Sequence, residues 1–413
     1  MAQEKERIIL HCDCNGFFAS VETLLDPALA AVPMVVTGDP ESRHGIILAK
    51  NEKAKAYGIQ TAETIWQAKQ KCPGLVCVLP HHGEYSRISK LVNAIYLDYT
   101  DLVDPFGIDE SFLDVTGSMR LFKKSPRELA DDIRERVKRE IGITISVGVS
   151  FCRVFAKLGS DYKKPDATTV IDRSNYKEVA FPLPVSALLY AGKRTTDTLA
   201  KMGIHTIGQL AAAERWRIAE RLGEGGDTLW RYANGLDEEP VHSYWDRPAP
   251  KSVGNGMTFR RDIAGEDEIR AGVMALTDSV AARLREADMK CTVIQVQVKD
   301  PNFRTVQRQC TLKRATWLRQ EITQHAMDLI RTACGGYGTS IRALTVTAGG
   351  LVASGDTEEQ LDIFSAAASG VTDKQESVEK TMADIRRKHG GASIRLGCYE
   401  NAEIGTDKPR KPH

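Results

Sequence analysis

No stretch of this chain approaches the roughly 18 consecutive apolar residues that a membrane helix needs. Its start, MAQEKER, is charged where a signal peptide would be apolar, so a cytoplasmic location is expected. Paired cysteines are missing too. The nine cysteines stand singly at Cys12, Cys14, Cys72, Cys77, Cys152, Cys291, Cys310, Cys334 and Cys398. No C-x-x-C knuckle is available for zinc, and reduced thiols are expected. Charge of one sign is also absent overall: 56 Lys and Arg against 55 Asp and Glu leave a formal net charge of +1. That balance argues weakly against a polyanionic partner. It hides a local excess, with 15 basic against 10 acidic side chains in 251–352 and 9 against 11 in 353–413, which ordinary solvated faces explain about as well. What is present, 413 residues at 42% hydrophobic and 27% charged, is a globular composition long enough for two to four domains.

The first part reads as an α/β layer. Apolar runs of strand length occur at 7–11, 34–37, 46–49, 76–79 and 143–149. Between them, 84–99 repeats apolar residues at Ile88, Leu91, Val92, Ile95 and Tyr96, and 126–141 carries Leu129, Ile133 and Val137 at helical spacing. After about residue 166 the texture becomes short, helical and glycine-punctuated, as in LLYAGKRTTDTLAKMGIHTIGQLAAA. Two short helices on a tight glycine turn form a phosphate-binding helix-hairpin-helix when Gly192 and its neighbours Lys193 and Arg194 present backbone N–H groups at a helix N-terminus. An αα-hairpin that merely packs is the equal alternative. Beyond the Pro- and Gly-rich HSYWDRPAPKSVGNG comes an alternating segment at 257–261. A helix at 266–287, strands at 292–299 and 305–312, a helix at 316–334 and a strand at 342–351 follow. This β-α-β-β-α-β order is the split βαβ arrangement and marks a separate small domain. The tail is polar, with only QLDIF and a charged helix at 375–388 organised.

Two segments carry chemistry. In RIILHCDCNGFF a strand of buried character runs into Asp13, a carboxylate that is costly to bury unless paired or bound to metal. In PFGIDESFLDVT, Asp109 and Glu110 are neighbours, and neighbours on a regular strand face opposite ways. Both serve one site only at a strand end or hairpin tip. Three hard oxygen ligands suit magnesium, though acids at strand ends are more often solvated caps.

The segments DCNGFFAS, GIDESFLD, GVSFCRVFAKLGSDYKKPD and LLYAGKRTTDTLAKMGIHTIGQL together resemble the successive signatures of the Y-family DNA polymerases, bacterial polymerase IV type. The order matches over roughly the first 350 residues. The resemblance implies an α/β multidomain, right-hand fold. Its parts would be a palm at 1–20 and 73–165, small fingers at 21–72, a helix-hairpin-helix thumb at 166–240 and a linker at 241–251. A βαββαβ little finger at 252–352 and a tail at 353–413 complete it. It further implies template-directed, error-prone translesion synthesis, with two Mg2+ ions, replaceable by Mn2+, held by Asp13, Asp109, Glu110 and the Cys14 carbonyl. Phe18 matches the steric-gate aromatic that excludes a ribose 2′-hydroxyl, although with Phe17 adjacent either ring is a candidate for core packing. Phe17 and Phe18 would line the nucleotide site, with Lys55 and Lys164 on the triphosphate.

Three residues depart from the family pattern. Asn15 replaces a frequent second acid, Glu52 a phosphate-binding tyrosine and Gly107 a frequent serine, and the last two bear on nucleotide affinity. QLDIF, with Gln360, Leu361 and Phe364 as anchors, resembles a peptide that docks on the sliding clamp. The expected partners are primer-template DNA, deoxynucleoside triphosphates and that clamp, for a nucleoid-associated monomer. Fingers at 21–72 are too small to enclose a base pair tightly, and no segment remains for a proofreading exonuclease. The competing readings are an inactive DNA-binding accessory protein recruited by the clamp and a nucleotide cyclase on a similar palm. The cyclase leaves the hairpin, the small domain and the tail unexplained.

Overall fold

The structure is a computed structural model that describes residues 6–38, 45–246, 248–355, 366–390 and 393–394, with the side chains of the last helix from residue 374 onward. Twelve strands are described: β1 (Ile9–Cys14), β2 (Met34–Thr37), β3 (Ile47–Lys50), β4 (Val76–Val78), β5 (Val103–Pro105), β6 (Glu110–Asp114), β7 (Ile145–Ser150), β8 (Thr168–Ile171), β9 (Ser252–Ile263), β10 (Met289–Lys299), β11 (Thr305–Thr316) and β12 (Ile341–Ala353). They form three sheets in two compact units, one ending before and one beginning at Pro248.

The central sheet of the first unit runs β5-β6-β1-β7-β8. β1 and β7 are buried at every position, which is why they read as continuous apolar runs. Alternation still sorts β1. Leu10, Cys12 and Cys14 enter the core made with the helices His82–Leu97 and Pro126–Ile141. Ile9, His11 and Asp13 point the other way. The helix Pro126–Ile141 was fully legible: Ser125 and Glu128 form a capping box, Pro126 opens it, and Gly142 closes it in the left-handed region. A second sheet, β3-β2-β4, has its own small core. Because β4 pairs in parallel with β2, this sheet continues past residue 72, the expected end of the fingers. Similarly β8 pairs with β7, so the central sheet extends past residue 165 into a segment assigned to the thumb.

The helices Lys193–Lys201, Ile207–Ala212 and Arg215–Ala233 follow, sharing a core with Phe151, Phe155 and Leu158. The second unit is the expected β-α-β-β-α-β. Its sheet runs β11-β10-β12-β9, and the helices Glu266–Glu286 and Arg319–Cys334 close one core over it. The second of these helices starts three residues later than expected because Thr316 still pairs with Cys291 as the end of β11. The charged tail segment lies in a helix, Ala366–His389, fastened to the same unit. Glu379 pairs with Arg285 and accepts the Arg319 N–H at 3.1 Å, Glu376 meets Lys290 at 3.1 Å and Arg386 meets Asp278 at 2.9 Å.

Candidate active site

Asp13 is the last but one residue of β1, and its register partner on β6 is Glu110. Asp109 sits one residue before β6, in the turn where the N–H groups of Phe106 and Gly107 both donate to the Glu110 carbonyl, at 2.9 and 3.1 Å. Strand alternation therefore does not separate Asp109 from Glu110. The Cys14 N–H donates to the Asp109 carbonyl at 2.9 Å and ties the turn to β1. Among the described residues, the potential ligand atoms lying within 4.8 Å of one another belong to His11, Asp13 and Glu110. The Asp109 carboxylate stands outside that group, close enough for Asp13 and Glu110 to raise its pKa further after burial has done so.

The helix Arg153–Tyr162 crosses the Asp13 face of the sheet and brings in a cation. Lys157 Nζ lies 3.0 Å from Asp13 Oδ2 and 2.6 Å from Glu110 Oε2. Glycines allow this approach: a Cβ on Gly148 of β7 would fall 1.9 Å from the Ala156 carbonyl oxygen. Asp237 accepts the Val154 N–H at 3.0 Å and so satisfies a free donor in the first turn. Arg153, buried, donates to the Pro240 carbonyl at 2.7 Å and reaches Asp104 at 3.1 Å. From the next loop, Lys164 Nζ meets Asp13 Oδ1 at 2.7 Å and Asp161 at 2.8 Å. That loop is pinned by Asn15, whose side chain accepts the Asp166 N–H at 2.9 Å and donates to Ser146 at 2.8 Å. The Asn15 departure thus has a structural role.

Burial and charge work against each other here. Burial alone would raise the Glu110 carboxyl, but the His11 ring facing it and the bonded Lys157 ammonium hold it down to about 2. Burial likewise opposes the Lys157 and Lys164 ammonium groups. Asp13 in both cases, with Glu110 for Lys157 and Asp161 for Lys164, outweighs it and keeps them charged. His11 is pushed down by burial, and the Cys14 thiol is pushed well up by it, so Cys14 has only its carbonyl to offer a hard cation.

Beside the acids opens a cleft of about 390 Å3, lined by Asp13, Phe18, Glu52, Lys55, Asp109 and Lys164 among others. Gly16 turns the chain into it with φ +53°, and a Cβ there would lie 3.2 Å from the Lys50 carbonyl oxygen. The two aromatic rings now separate: Phe17 is buried in the core, whereas Phe18 is half-buried. Phe18 stacks on Tyr85, ring centroids 4.2 Å apart and 12° from parallel. The Tyr85 hydroxyl donates to Glu22, which is itself buried and also receives the His81 N–H at 3.2 Å. Lys55 pairs with Glu52 at 3.4 Å, both exposed.

Elsewhere the expected residues are more scattered. Gly192 precedes the helix Lys193–Lys201 and follows a short 3-10 turn at Val185–Ala187, so the glycine turn that joins two α-helices is at Gly203, φ +78°. Gln360, Leu361 and Phe364 lie outside the described residues. The sequence did not single out His11, Lys157, Tyr85 or Glu22. The available signals were the i, i+2 spacing of His11 and Asp13, and the small residues Gly148 and Gly159 where β7 and a helix meet.

Residues 12–161 match the impB/mucB/samB family, and residues 250–363 match the impB/mucB/samB family C-terminal domain. A DNA polymerase IV of Acetivibrio thermocellus is 44% identical over 392 residues, covering 95% of this chain and 97% of that protein. DNA polymerase IV 1 of Bacillus subtilis is 33% identical over 409 residues, 98% of this chain and 96% of its own. Among solved structures, a Y-family DNA polymerase chimera superposes with a TM-score of 0.73 at 20% identity, covering 84% of this chain and 99% of its own, a likeness of fold.

Proposed function

The chain belongs to the impB/mucB/samB family and is a DNA-directed DNA polymerase of the translesion class, and from that premise we propose how its residues carry the reaction. It adds deoxynucleotides to a primer 3′-end by two-metal nucleotidyl transfer, is error-prone and does not proofread. The observation that carries this reading is the pairing of Asp13 and Glu110 across β1 and β6, with Asp109 in the adjoining turn and a cleft alongside.

The donor set fits a pair of hard divalent ions. It offers carboxylate oxygens and the Cys14 carbonyl, with no thiolate, and Lys157 already places positive charge between Asp13 and Glu110. Magnesium, or manganese in its place, would supply activation of the primer hydroxyl and neutralisation of the departing pyrophosphate. The protein's own groups do the rest. Lys164 leaves Asp13 and Lys55 leaves Glu52 to meet the triphosphate, whose transferring oxygens need positive charge around them. Phe18, with Phe17 behind it, closes the space a 2′-hydroxyl would take. Glu52 competes with the triphosphate for Lys55. Backbone N–H groups at Lys193 and Arg194, on the helix that Gly192 caps, receive a DNA phosphate, the Gly192 N–H itself being held by the Tyr190 carbonyl at 2.9 Å. The peptide with Gln360, Leu361 and Phe364 docks a monomer on the sliding clamp. Its place of work is the nucleoid in the cytoplasm. Among the described residues no helix is long and apolar enough to cross a membrane.

Primer extension on undamaged template tests the reading. Wild type is expected to extend in magnesium with deoxynucleotides and not ribonucleotides, and an Asp109→Ala, Glu110→Ala double variant to be inactive. Should neither extend while both still bind primer-template, the chain is instead an inactive DNA-binding accessory protein.

A further inference from the structure

Two nitrogens converge on one oxygen of Glu110. Lys157 Nζ reaches Oε2 at 2.6 Å, and His11 Nε2 reaches the same atom at 3.3 Å. His11 has no solvent exposure, and its ring stands edge-on to Phe112 with centroids 4.5 Å apart. Its other nitrogen, Nδ1, lies 2.8 Å from Ser160 Oγ on the helix that crosses the sheet. The ring is therefore located by Phe112 and Ser160, independently of Glu110. A proton on Nε2 is what an opposing carboxylate favours, and Nδ1 then accepts from the Ser160 hydroxyl, which turns to it from its other acceptor, the Lys157 carbonyl at 2.8 Å. The 3.3 Å contact falls short of a hydrogen bond, so this buried nitrogen faces the carboxylate and has no other partner. Among the described residues none bonds Glu110 Oε1.

We propose that His11 is a positioning residue, oriented by Ser160, that holds Oε2 of Glu110 from behind so that Oε1 is presented to a divalent cation. The inference rests on Asp13, Asp109 and Glu110 being the cation's ligands. It adds that β1 supplies both a ligand, Asp13, and, two residues earlier on the same face, the group that aims another. Groups that hydrogen-bond to ligating side chains from behind commonly carry about 10–100-fold in metal affinity.

The test is Mn2+ binding to the full chain without DNA or nucleotide, read by electron paramagnetic resonance of the free ion, with thermal unfolding alongside. His11→Gln places an amide nitrogen close to where Nε2 stood, whereas His11→Asn places one near Nδ1 and leaves Glu110 without its donor. His11→Asn is expected to raise the Mn2+ Kd by about tenfold or more and His11→Gln by less than about threefold. Equal affinities in the two variants, whether unchanged or weakened alike, overturn the proposal. If His11→Asn does not fold, Ser160→Ala decides: about tenfold weaker binding supports it and wild-type binding overturns it. An Asp109→Asn, Glu110→Gln variant separates the two levels. Undiminished Mn2+ binding there removes the metal site and this inference with it. Lost binding there beside wild-type binding in His11→Asn removes this inference alone.

Discussion

Phe18 lines the cleft stacked on a ring that is anchored in the core. Tyr85 is fully buried, stacks under Phe18 and is anchored through its hydroxyl to the buried Glu22. The gate against a 2′-hydroxyl that we propose for Phe18 is only as strict as its support, since one small group is all that separates the two substrates. Phe18→Ala is expected to raise ribonucleotide use relative to deoxynucleotide by roughly 10–100-fold. Tyr85→Leu, which keeps Phe18 but removes its support, is expected to give a smaller rise, and Tyr85→Phe, which keeps the ring, the smallest. Single-nucleotide incorporation with both sugars measures all three. If Tyr85→Leu discriminates as wild type does, the stack has no part in selection.

The helix Arg153–Tyr162 shows how an element places a residue. It lies on the sheet only because Gly148 and Gly159 lack side chains: a Cβ on Gly148 would meet Ala156 O at 1.9 Å and Ser160 N at 2.5 Å, both backbone atoms that cannot rotate away. Gly148→Ala is expected to destabilise by about 1–3 kcal/mol or more in denaturant unfolding, with Lys157 displaced from the acids. The following loop gives a pH-dependent counterpart. Burial would raise Asp166, yet Lys138, at 2.9 Å, and Arg134 lower its pKa below the ordinary value. A carboxyl depressed in the folded state adds stability that is full above its unfolded pKa, about 3.9, and is lost as pH falls through the folded value. Wild type is expected to melt above Asp166→Asn at neutral pH, the gap closing as pH drops from about 5 toward 3. A gap that persists at the acid end would mean that the carboxyl's charge is not what holds the loop.

At the scale of the whole molecule, the core of the second unit is built entirely from Val253 to Ala348, with no member from the first. Such a unit carries its own folding free energy. A chain of 248–413 alone is expected to unfold in one cooperative thermal transition, followed by circular dichroism; a gradual, non-sigmoidal loss of signal would contradict it. Glu376, Glu379 and Arg386 give the tail helix three charged attachments to that unit, so it is expected to melt with the unit rather than before it.

The sequence alone determined what is local or ordered along the chain. The capping box at Ser125 and Glu128 opened a helix that Gly142 closed, alternation and turns set the β-α-β-β-α-β order, and the motif around Asp109 and Glu110 placed both acids at a strand end. These features are written in neighbours a few residues apart, where propensity and capping act. Only the tertiary structure decided which of Phe17 and Phe18 is packed, that β4 and β8 join sheets beyond the boundaries drawn for them, and that the acids meet His11 and Lys157. Each of those depends on segments far apart in sequence. Lys157 and Asp13 are separated by 144 positions, and nothing in the chemistry of a lysine on a helix says which carboxylate it will find until the glycines on the sheet let that helix come down.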